Sequence, residues 1–244
     1  MEILALIPAR GGSKSIPKKN IIELGGHPLI AYSITSALAS KTITRIIVST
    51  DDQEIANTSK RYGAEVPFSR PAELALDDTS DLAVFLHAME WMKENEDYQP
   101  DSVIQLRPTT PFRPKGLIDR AVNLLSEYKK ADCVRGMVES GENPFKMWEK
   151  GEDGYMIPLI KQTGFAEPYN MPRQYLPKTY WQTGHIDVIP IQTILDKKSL
   201  TGKKIAPIFI ERTYCIDIDT YDDLVFAEWV LRSKRLEIDM PGQV

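Results

Sequence analysis

The sequence predicts an α/β protein with a doubly wound, mostly parallel sheet. Short apolar runs alternate with amphipathic helical patterns over most of the chain, which is typical of parallel strands joined by helices. The first run is apolar on successive residues, as in a strand that is buried on both faces. Such sheets bind ligands beyond the carboxyl ends of their strands. Functional side chains are therefore expected in the loops that follow the strands.

The individual elements follow from local patterns. Strands are predicted over residues 2–8, 45–49, 65–67, 102–106, 133–138, 186–189, 208–210 and 214–218. Helices are predicted from Pro28 to residue 38, from Asp51 or Asp52 to about residue 62, from the opening residues 78–81 to 92, from Pro114 to 125, and after a capping box that begins at Thr220.

Residues 140–183 interrupt this alternation. Proline, glycine, charged and aromatic residues mix there without periodicity, and the aromatics include Trp148, Tyr175, Tyr180 and Trp181. We interpret the chain as a single domain over residues 1–244, with an embedded segment at 140–183. That segment either packs on a partner subunit or forms a substrate lid.

Composition excludes several classes of protein. The chain has 244 residues, 42% of them hydrophobic and 26% charged, and a net charge of −4, which argues against a general nucleic-acid surface. No apolar run approaches the length of a membrane span. Cys133 and Cys215 each lie in an apolar run and are expected to be buried free thiols. The start of the chain reads as a strand with Glu2, not as a signal peptide, so we expect a cytoplasmic protein.

The loop after the first strand carries the strongest functional signal. Its glycine pair lets backbone N–H groups turn toward an anion, and four cations follow or flank it within ten residues. Several phosphates, as in a nucleoside triphosphate, would suit this charge. The spacing matches neither a Walker A loop nor a dinucleotide fingerprint. The residues concerned are Ala9, Arg10, Gly11, Gly12, Ser13, Lys14, Lys18 and Lys19.

Two carboxylates two residues apart, Asp217 and Asp219, form a second constellation. On a strand they would point to the same face, with Ile216 and Ile218 turned into the core. Near a phosphate loop such a pair suits Mg²⁺, and Asp51 at the end of the second strand is a third candidate ligand. The alternative is that Asp219 only caps the last helix and that Asp217 is solvated.

Two stiff loops complete the candidate site. Arg107, Thr109 and Thr110 project from a proline-rich turn after the fourth strand, which suits recognition of a polyhydroxy acid or is simply a structural turn. Arg70 precedes a loop that ends with Thr79 and Ser80 at a helix start. That second loop can hold a nucleobase edge or serve only as a helix entry.

Together these motifs resemble the acylneuraminate cytidylyltransferases, over about residues 1–139 and 182–231. The resemblance rests on five motifs in order: Ile7-Pro8-Ala9-Arg10-Gly11-Gly12-Ser13-Lys14 with Pro17 and Lys19-Asn20, Val48-Ser49-Thr50-Asp51, Arg70-Pro71-Ala72-Glu73-Leu74, Pro108-Thr109-Thr110-Pro111, and Asp217-Ile218-Asp219-Thr220.

The resemblance implies a Rossmann-like nucleotidyltransferase that moves CMP from CTP to the anomeric hydroxyl of an acidic 2-keto-3-deoxy sugar. Pyrophosphate would leave without a covalent enzyme intermediate, and the family forms homodimers through the segment that lies at 140–183 here. By the same resemblance Arg10, Lys14 and Lys19 hold the triphosphate, Asn20 contacts ribose or phosphate, Arg70 with Thr79 and Ser80 reads cytosine, and Asp217 and Asp219 hold Mg²⁺.

Two departures from the family pattern fall in the expected sugar site. Arg107 stands where sialic acid enzymes usually have glutamine, and His185 and Asp187 lie in a Thr-Gly-His-Ile-Asp stretch that replaces Asn-Gly-Ala-Ile-Tyr. A guanidinium favours an acidic substituent. The acceptor therefore stays open among sialic, legionaminic, pseudaminic and deaminated sialic acids and octulosonates. The alternatives are another nucleotide, a phosphonate acceptor, or a non-catalytic nucleotide-binding protein.

Overall fold

The computed structural model describes residues 1–161 and 164–242. In this part of the chain a six-stranded sheet and two small two-stranded sheets form. In chain order the strands are β1 (Ile3–Pro8), β2 (Glu23–Leu24), β3 (His27–Pro28), β4 (Arg45–Ser49), β5 (Ser102–Gln105), β6 (Cys133–Glu139), β7 (Trp148–Lys150), β8 (Met156–Pro158), β9 (Tyr180–Pro190) and β10 (Ile205–Phe209).

The large sheet has the strand order β10-β6-β9-β5-β1-β4. β1 pairs in parallel with β4 and β5, and β6 with β10, whereas β9 runs antiparallel to both β5 and β6. Five of the six strands therefore point in one direction, which confirms the mostly parallel sheet. The carboxyl ends of those five strands, and the start of β9, meet at one edge.

Within the described residues, six α-helices accompany the sheet. They are α1 (Leu29–Leu38), α2 (Gln53–Arg61), α3 (Asp81–Glu96), α4 (Leu117–Glu127), α5 (Ile191–Leu195) and α6 (Tyr221–Arg232). In this part of the chain no helix is long and apolar enough to cross a membrane. α1, α2 and α4 contribute to the core on one face of the sheet and α3 and α5 to the core on the other. α6 lies outside this pair of layers and packs with α1 and the Glu23–Pro28 hairpin.

The apolar sequence of β1 explains how one strand supports both layers. Ile3, Ala5 and Ile7 belong to the core beside α1 and α4, and Leu4 and Leu6 belong to the core beside α3. All five side chains are at most 1% exposed. Because successive strand residues point to opposite faces, an uninterrupted apolar run is what a central strand requires.

The helix starts follow the capping chemistry in the sequence. Asp52 accepts hydrogen bonds from the backbone N–H groups of Glu54 and Ile55 at the start of α2. Thr220 and Asp223 form a reciprocal capping box at the start of α6. α4 begins at Leu117, three residues later than predicted at Pro114, because Gly116 adopts a left-handed conformation immediately before it.

Two predicted strands are wrong. Residues 214–218 do not pair with the sheet: a 3₁₀ turn at Arg212–Tyr214 leads into an irregular segment whose backbone bond from Ile218 N to Thr109 O spans 2.8 Å. Of residues 65–67 only Glu65 makes a β-bridge, to Ile47. The sequence analysis also missed α5, both small sheets and the first six residues of β9.

Residues 140–183 connect β6 to β9 and include the first four residues of β9. In its described part this segment holds the β7–β8 hairpin and three 3₁₀ turns. Its aromatic rings pair locally, as Trp148 does with Tyr169 at 4.6 Å between ring centroids. Several large apolar side chains nevertheless remain exposed: Trp148, Tyr155, Met156, Leu159, Phe165, Tyr175, Tyr180 and Trp181.

A fully buried arginine joins three elements beneath the functional edge. Arg113 is 1% exposed and donates hydrogen bonds to Ser33 Oγ of α1 (2.9 Å), to His185 O of β9 (2.8 Å) and to Arg107 O (2.7 Å). Burial, and then the positive charge of Arg107, lower the pKa of this guanidinium to about 9. Arg113 stays charged at neutral pH and fixes the turn after β5 to β9.

Replacing Arg113 by methionine, which keeps the length and removes the donors, would leave three acceptors without their partner. We expect Arg113→Met to lower the free energy of unfolding by about 2–4 kcal/mol, measured by urea denaturation. The control Arg120→Met removes an exposed arginine of α4 and should change it by less than about 0.5 kcal/mol. Equal stabilities of the two variants would contradict a structural role for Arg113.

Candidate active site

The loops at the carboxyl edge enclose a basic cleft of about 540 Å³. Five cationic side chains and three carboxylates line it, so its net charge is positive. The sequence placed most of these residues at the site. The lining residues are Pro8, Arg10, Ser13, Lys14, Ser15, Lys19, Asn20, Arg70, Leu74, Leu76, Asp77, Thr79, Asp81, Val84, Arg107, Pro108, Thr109 and Asp219.

The glycine pair of the first loop serves two purposes. The Gly11 backbone N–H donates to Asp51 Oδ1 at 2.9 Å, and a Cβ on Gly11 would lie 2.9 Å from Asp52 Cβ. Gly11 is therefore needed for the close approach of the loops after β1 and β4. Gly12 has open space where a Cβ would be. Of the two, Gly12 is the residue whose backbone remains open to an anion.

Asn20 holds the loop in shape. Its side chain is 8% exposed, and its Nδ2 donates to Arg10 O at 2.9 Å. Lys18 adopts a left-handed conformation with φ of 54°, which turns the chain into a 3₁₀ turn that starts at Lys19. Lys18 pairs with Glu54 and points away from the cleft lining, whereas Lys19 lines the cleft.

The cations of the loop are neutralised by carboxylates of this chain. Arg10 Nη2 lies 2.8 Å from Asp77 Oδ1, Lys14 pairs with the other oxygen of Asp77, and Lys19 Nζ lies 2.8 Å from Asp219 Oδ1. The hydrogen bond from Lys14, followed by its charge and that of Arg10, lowers the pKa of the Asp77 carboxyl. A bound polyanion would have to displace Asp77 from these two cations.

The residues expected to read a base have different surroundings. Arg70 is 5% exposed and donates to the oxygens of Ser49, and burial lowers its pKa to about 10, so it remains charged. Thr79 lines the cleft. Ser80 accepts from Ala83 N and caps α3 without lining the cleft. Ala9 is 1% exposed, and its N–H donates to Ser49 O, so it contributes to the loop's position.

Arg107 is held by two carboxylates. Its Nη2 lies 2.9 Å from Asp81 Oδ2, and its Nη1 lies 3.3 Å from Asp187 Oδ2. Asp187 is 1% exposed and also binds Arg135, with 2.6 Å between Nε and Oδ1. Burial raises the pKa of Asp187, while Arg135 and Arg107 oppose that shift. Asp187 lines neither cavity at this edge, so it acts on a ligand only by positioning Arg107.

A second cavity, of about 370 Å³, lies beside the basic cleft between the ends of β6 and β9. We call it the β6–β9 cavity. It combines hydroxyl and amide groups with apolar surface, and Arg212 is the only cation among its described lining residues. These are Thr110, Val138, Glu139, Ser140, Gly141, Glu142, Met147, Trp181, Gln182, Thr183, Gly184, His185, Arg212, Cys215 and Asp217.

His185 forms part of the wall of this cavity but is fully buried. Its Nε2 lies 3.0 Å from Tyr214 O, which requires Nε2 to carry the proton. Burial, and then the charge of Arg113, lower its pKa to about 4. His185 is therefore neutral at physiological pH and fixes the segment that leads to Asp217.

The two carboxylates of the sequence motif stand where the cavities meet. Asp217 lines the β6–β9 cavity together with Thr110, and Asp219 lines the basic cleft together with Thr109. Asp217 and Asp219 are exposed on an irregular segment and not on the predicted strand, but Ile216 and Ile218 still turn into the core. The Ile218–Thr109 backbone bond replaces the expected strand pairing.

The carboxylate pair suits a divalent cation that is also bound by ligand oxygens. Partial desolvation of the Asp217 carboxyl, and then the negative charge of Asp219, raise its pKa, while the hydrogen bond from Thr109 opposes that shift. The described residues contain no cluster of three or more side chains that could hold a metal ion. Asp51, proposed as a third ligand, instead accepts the Gly11 N–H. Two carboxylates leave room for phosphate oxygens and water, which Mg²⁺ prefers.

Sequence reasoning missed several residues of this site. Arg135 and Asp81 hold the Arg107 network, and Arg212 lies on the wall of the β6–β9 cavity. Arg135 had a usable signal, because an arginine within the apolar run of β6 requires a buried partner. Asp81 and Arg212 had none, since a helix start and a surface turn are ordinary places for a charge.

Comparisons with known proteins agree with this geometry. The profile of the family described as "Cytidylyltransferase" matches residues 4–150. The chain is 33% identical over 248 residues to the CMP-N,N'-diacetyllegionaminic acid synthase of Legionella pneumophila, with all of both chains covered. It is 32% identical to a pseudaminic acid cytidylyltransferase of Campylobacter jejuni strain 81-176, covering 93% of this chain and 95% of that protein.

The fold has a close counterpart among solved structures. A CMP:2-keto-3-deoxy-manno-octonic acid synthetase complexed with CTP superimposes with a TM-score of 0.70 at 15% sequence identity, covering 96% of this chain and 100% of the other. That likeness shows the α/β nucleotidyltransferase fold. With a family profile that spans more than half of the chain and relatives that match it from end to end, this protein belongs to the cytidylyltransferase family.

Proposed function

We propose that the protein transfers CMP from CTP to the anomeric hydroxyl of a sialic-acid-like 2-keto-3-deoxy acid sugar and releases pyrophosphate. One observation carries the proposal: a basic cleft and a mixed polar and apolar cavity meet at the Asp217–Asp219 pair. CTP in the basic cleft and the acceptor sugar in the β6–β9 cavity would bring the α-phosphate and the attacking hydroxyl together at these two carboxylates. Relatives that act on legionaminic and pseudaminic acids support the acceptor class.

In this assignment the basic cleft holds CTP. Arg10, Lys14 and Lys19 face the triphosphate, and the open backbone at Gly12 adds a further donor. Arg70 and Thr79, which line the same cleft, would take the cytosine. Catalysis comes mainly from orienting the two reactants and from stabilising charge on the phosphates, with no group on the protein forming a covalent bond.

Asp217 and Asp219 would hold Mg²⁺. The ion would supply charge stabilisation at the α-phosphate. Asp219 would then exchange its ion pair with Lys19 for the metal, and Lys19 would become free for a phosphate oxygen. A cation bound there would also favour the ionised form of Asp217, whose pKa is raised by desolvation and then by the charge of Asp219.

The acceptor would occupy the β6–β9 cavity, with its carboxylate toward Arg107. In these sugars the carboxylate and the reacting hydroxyl share one carbon, so both must lie near Asp217. Arg107 lines the adjoining cleft and acts electrostatically on Asp217. Its two carboxylate partners fix the guanidinium plane, which favours an acidic group in one orientation.

We also propose a cytoplasmic homodimer. The two cysteines are free, which suits a reducing compartment. The exposed aromatics of residues 140–183 are continuous with Phe209 of the edge strand β10, since the tilted rings of Tyr180 and Phe209 lie 5.0 Å apart between centroids. An apolar surface of this extent is typical of a subunit interface.

The direct test is pyrophosphate release with each of CTP, ATP, GTP and UTP in the presence of Mg²⁺ and a panel of acidic keto-sugars and phosphonates. We expect release with CTP and at least one nine-carbon keto-deoxy acid. Activity with a phosphonate alone would favour the alternative acceptor. Binding of CTP without turnover of any acceptor would indicate a non-catalytic protein.

We expect Asp217→Asn and Asp219→Asn each to lower kcat by about 100-fold or more, because each removes a charged metal ligand. Since the raised pKa of Asp217 makes its ionised form unfavourable without metal, Asp217→Asn should melt at the same or a higher temperature than wild type in metal-free buffer. Activity of wild type should fall on acidification as Asp217 gains a proton.

The matched control is Asp222→Asn, which changes an exposed carboxylate three residues after Asp219 in the first turn of α6. It should leave the magnesium dependence unchanged. Near-normal turnover of both metal-ligand variants at limiting Mg²⁺ would remove Asp217 and Asp219 from the metal site.

Asp77 competes with the triphosphate for Arg10 and Lys14. We therefore expect Asp77→Asn to lower the dissociation constant of CTP by about 2–5-fold, the range for an exposed ion pair. Calorimetric titration of CTP into wild type, Asp77→Asn and the neighbouring control Asp78→Asn measures this directly. Weaker binding by Asp77→Asn would mean that Asp77 positions the cations instead of competing for them.

Sedimentation at micromolar concentration should give a particle of twice the chain mass of 27.6 kDa. Replacing exposed Trp148 and Tyr175 by serine removes apolar surface from residues 140–183 and should shift the equilibrium toward monomer. The control Trp229→Ser removes an exposed aromatic of α6 and should leave the dimer intact. A monomeric wild type would contradict the proposed assembly.

A further inference from the structure

Arg212 is a cation without an internal partner. It starts the 3₁₀ turn Arg212–Tyr214 after β10, and its guanidinium makes no hydrogen bond or ion pair with any other side chain or backbone group in residues 1–161 and 164–242. Arg10, Lys14, Lys19 and Arg107, in the neighbouring cleft, all have carboxylate partners. The donors of Arg212 are therefore available to a ligand.

The guanidinium is placed by close packing. A Cβ added to Gly141 would lie 2.3 Å from both terminal nitrogens of Arg212. The backbone of Gly141 therefore supports the guanidinium face, and any larger residue at this position would push it away. Steric support of this kind orients the group while leaving its N–H donors unused.

The position of Arg212 assigns it to the part of an acceptor remote from the reacting atoms. The main charge effects on Asp217 come from Asp219, Lys19 and Arg107, all of which line the basic cleft. Arg212 also lines the adjoining surface hollow with Tyr180 and Phe209, and no residue that lines this hollow lines the basic cleft. The acceptor's substituents, and not its carboxylate, would reach that end.

The surroundings of Arg212 select a neutral oxygen beside an apolar group. Glu139 and Glu142 line the same cavity and disfavour a second acidic substituent. Val138, Met147 and Trp181 add apolar surface there. An acylamino group offers both a carbonyl acceptor for Arg212 and an apolar methyl that can pack on these side chains. A chain of hydroxyl groups would gain nothing from contact with the apolar surface.

We propose that Arg212 is a specificity-determining residue that binds the amide carbonyl oxygen of an acylamino substituent on the acceptor, with Gly141 supporting it. The protein would then prefer N-acylated nine-carbon keto-deoxy acids to octulosonates, which lack that group. This inference rests on the proposed cytidylyltransfer to a keto-deoxy acid and narrows its acceptor class.

The test compares acceptors that differ in the acylamino group. Wild type and Arg212→Met are assayed for pyrophosphate release at saturating CTP with N,N'-diacetyllegionaminate, N-acetylneuraminate, deaminated neuraminate and 3-deoxy-octulosonate. For any acceptor that does not turn over, calorimetry gives its dissociation constant. We expect kcat/KM, or affinity, for the two acylated sugars to fall by about 10–100-fold. The other two sugars should change by less than about threefold, and the KM for CTP should stay the same.

Gly141→Ala provides the second variant, because it displaces the guanidinium and retains its charge. It should reproduce the selective loss in smaller measure. The control Arg232→Met removes an exposed arginine of α6 and should leave the ratios of kcat/KM between the four acceptors unchanged.

An equal loss for all four sugars would place Arg212 on the carboxylate or in a structural role, and no loss for the acylated pair would exclude it from acceptor binding. Either result overturns the proposal. Failure of the proposed function itself would look different, because wild type would then release no pyrophosphate from CTP with any of these sugars.

Discussion

The main constraint on this structure is electrostatic: five cationic side chains must share one cleft before any anion arrives. Their mutual repulsion is offset by carboxylates from two parts of the fold: Asp77 and Asp81 lie at the start of α3, and Asp219 precedes α6. Each of these acids lies in a loop or helix start at the carboxyl edge of the sheet. The parallel arrangement of the strands is what brings them within reach of the cations.

The same constraint extends below the surface. Asp187 lies between Arg135 and Arg107. Arg113 supports the turn that carries Arg107, and it has no carboxylate partner within residues 1–161 and 164–242. A buried charge satisfied only by neutral acceptors is costly unless each hydrogen bond is made. Arg113 consequently holds the turn after β5 from its buried side. Asp81, the exposed ion-pair partner of Arg107, can respond to a ligand.

Much of this could be read from the sequence because it depends on local patterns. The apolar run of β1, the caps at Asp52 and Thr220, and the glycine loop each have short-range physical causes, and the cleft residues follow from the ends of parallel strands. The alternation of Ile216 and Ile218 with Asp217 and Asp219 correctly predicted which side chains face the site, but it suggested a strand. Whether that segment pairs with a sheet depends on a partner far away in the chain, and Thr109 provides a single bond where a neighbouring strand was expected.

The antiparallel strand β9 has a consequence for how such proteins diversify. Residues 140–179 leave the sheet after Glu139 and return at Tyr180, and these two residues are direct partners across β6 and β9. Opposite residues in a sheet are only about 5 Å apart, so the excursion begins and ends at almost one point. Its length and sequence can drift, or be exchanged between relatives, without moving any strand of the six-stranded sheet. The chemistry at the donor phosphates and the surface presented to the rest of the cell are thereby free to evolve at different rates.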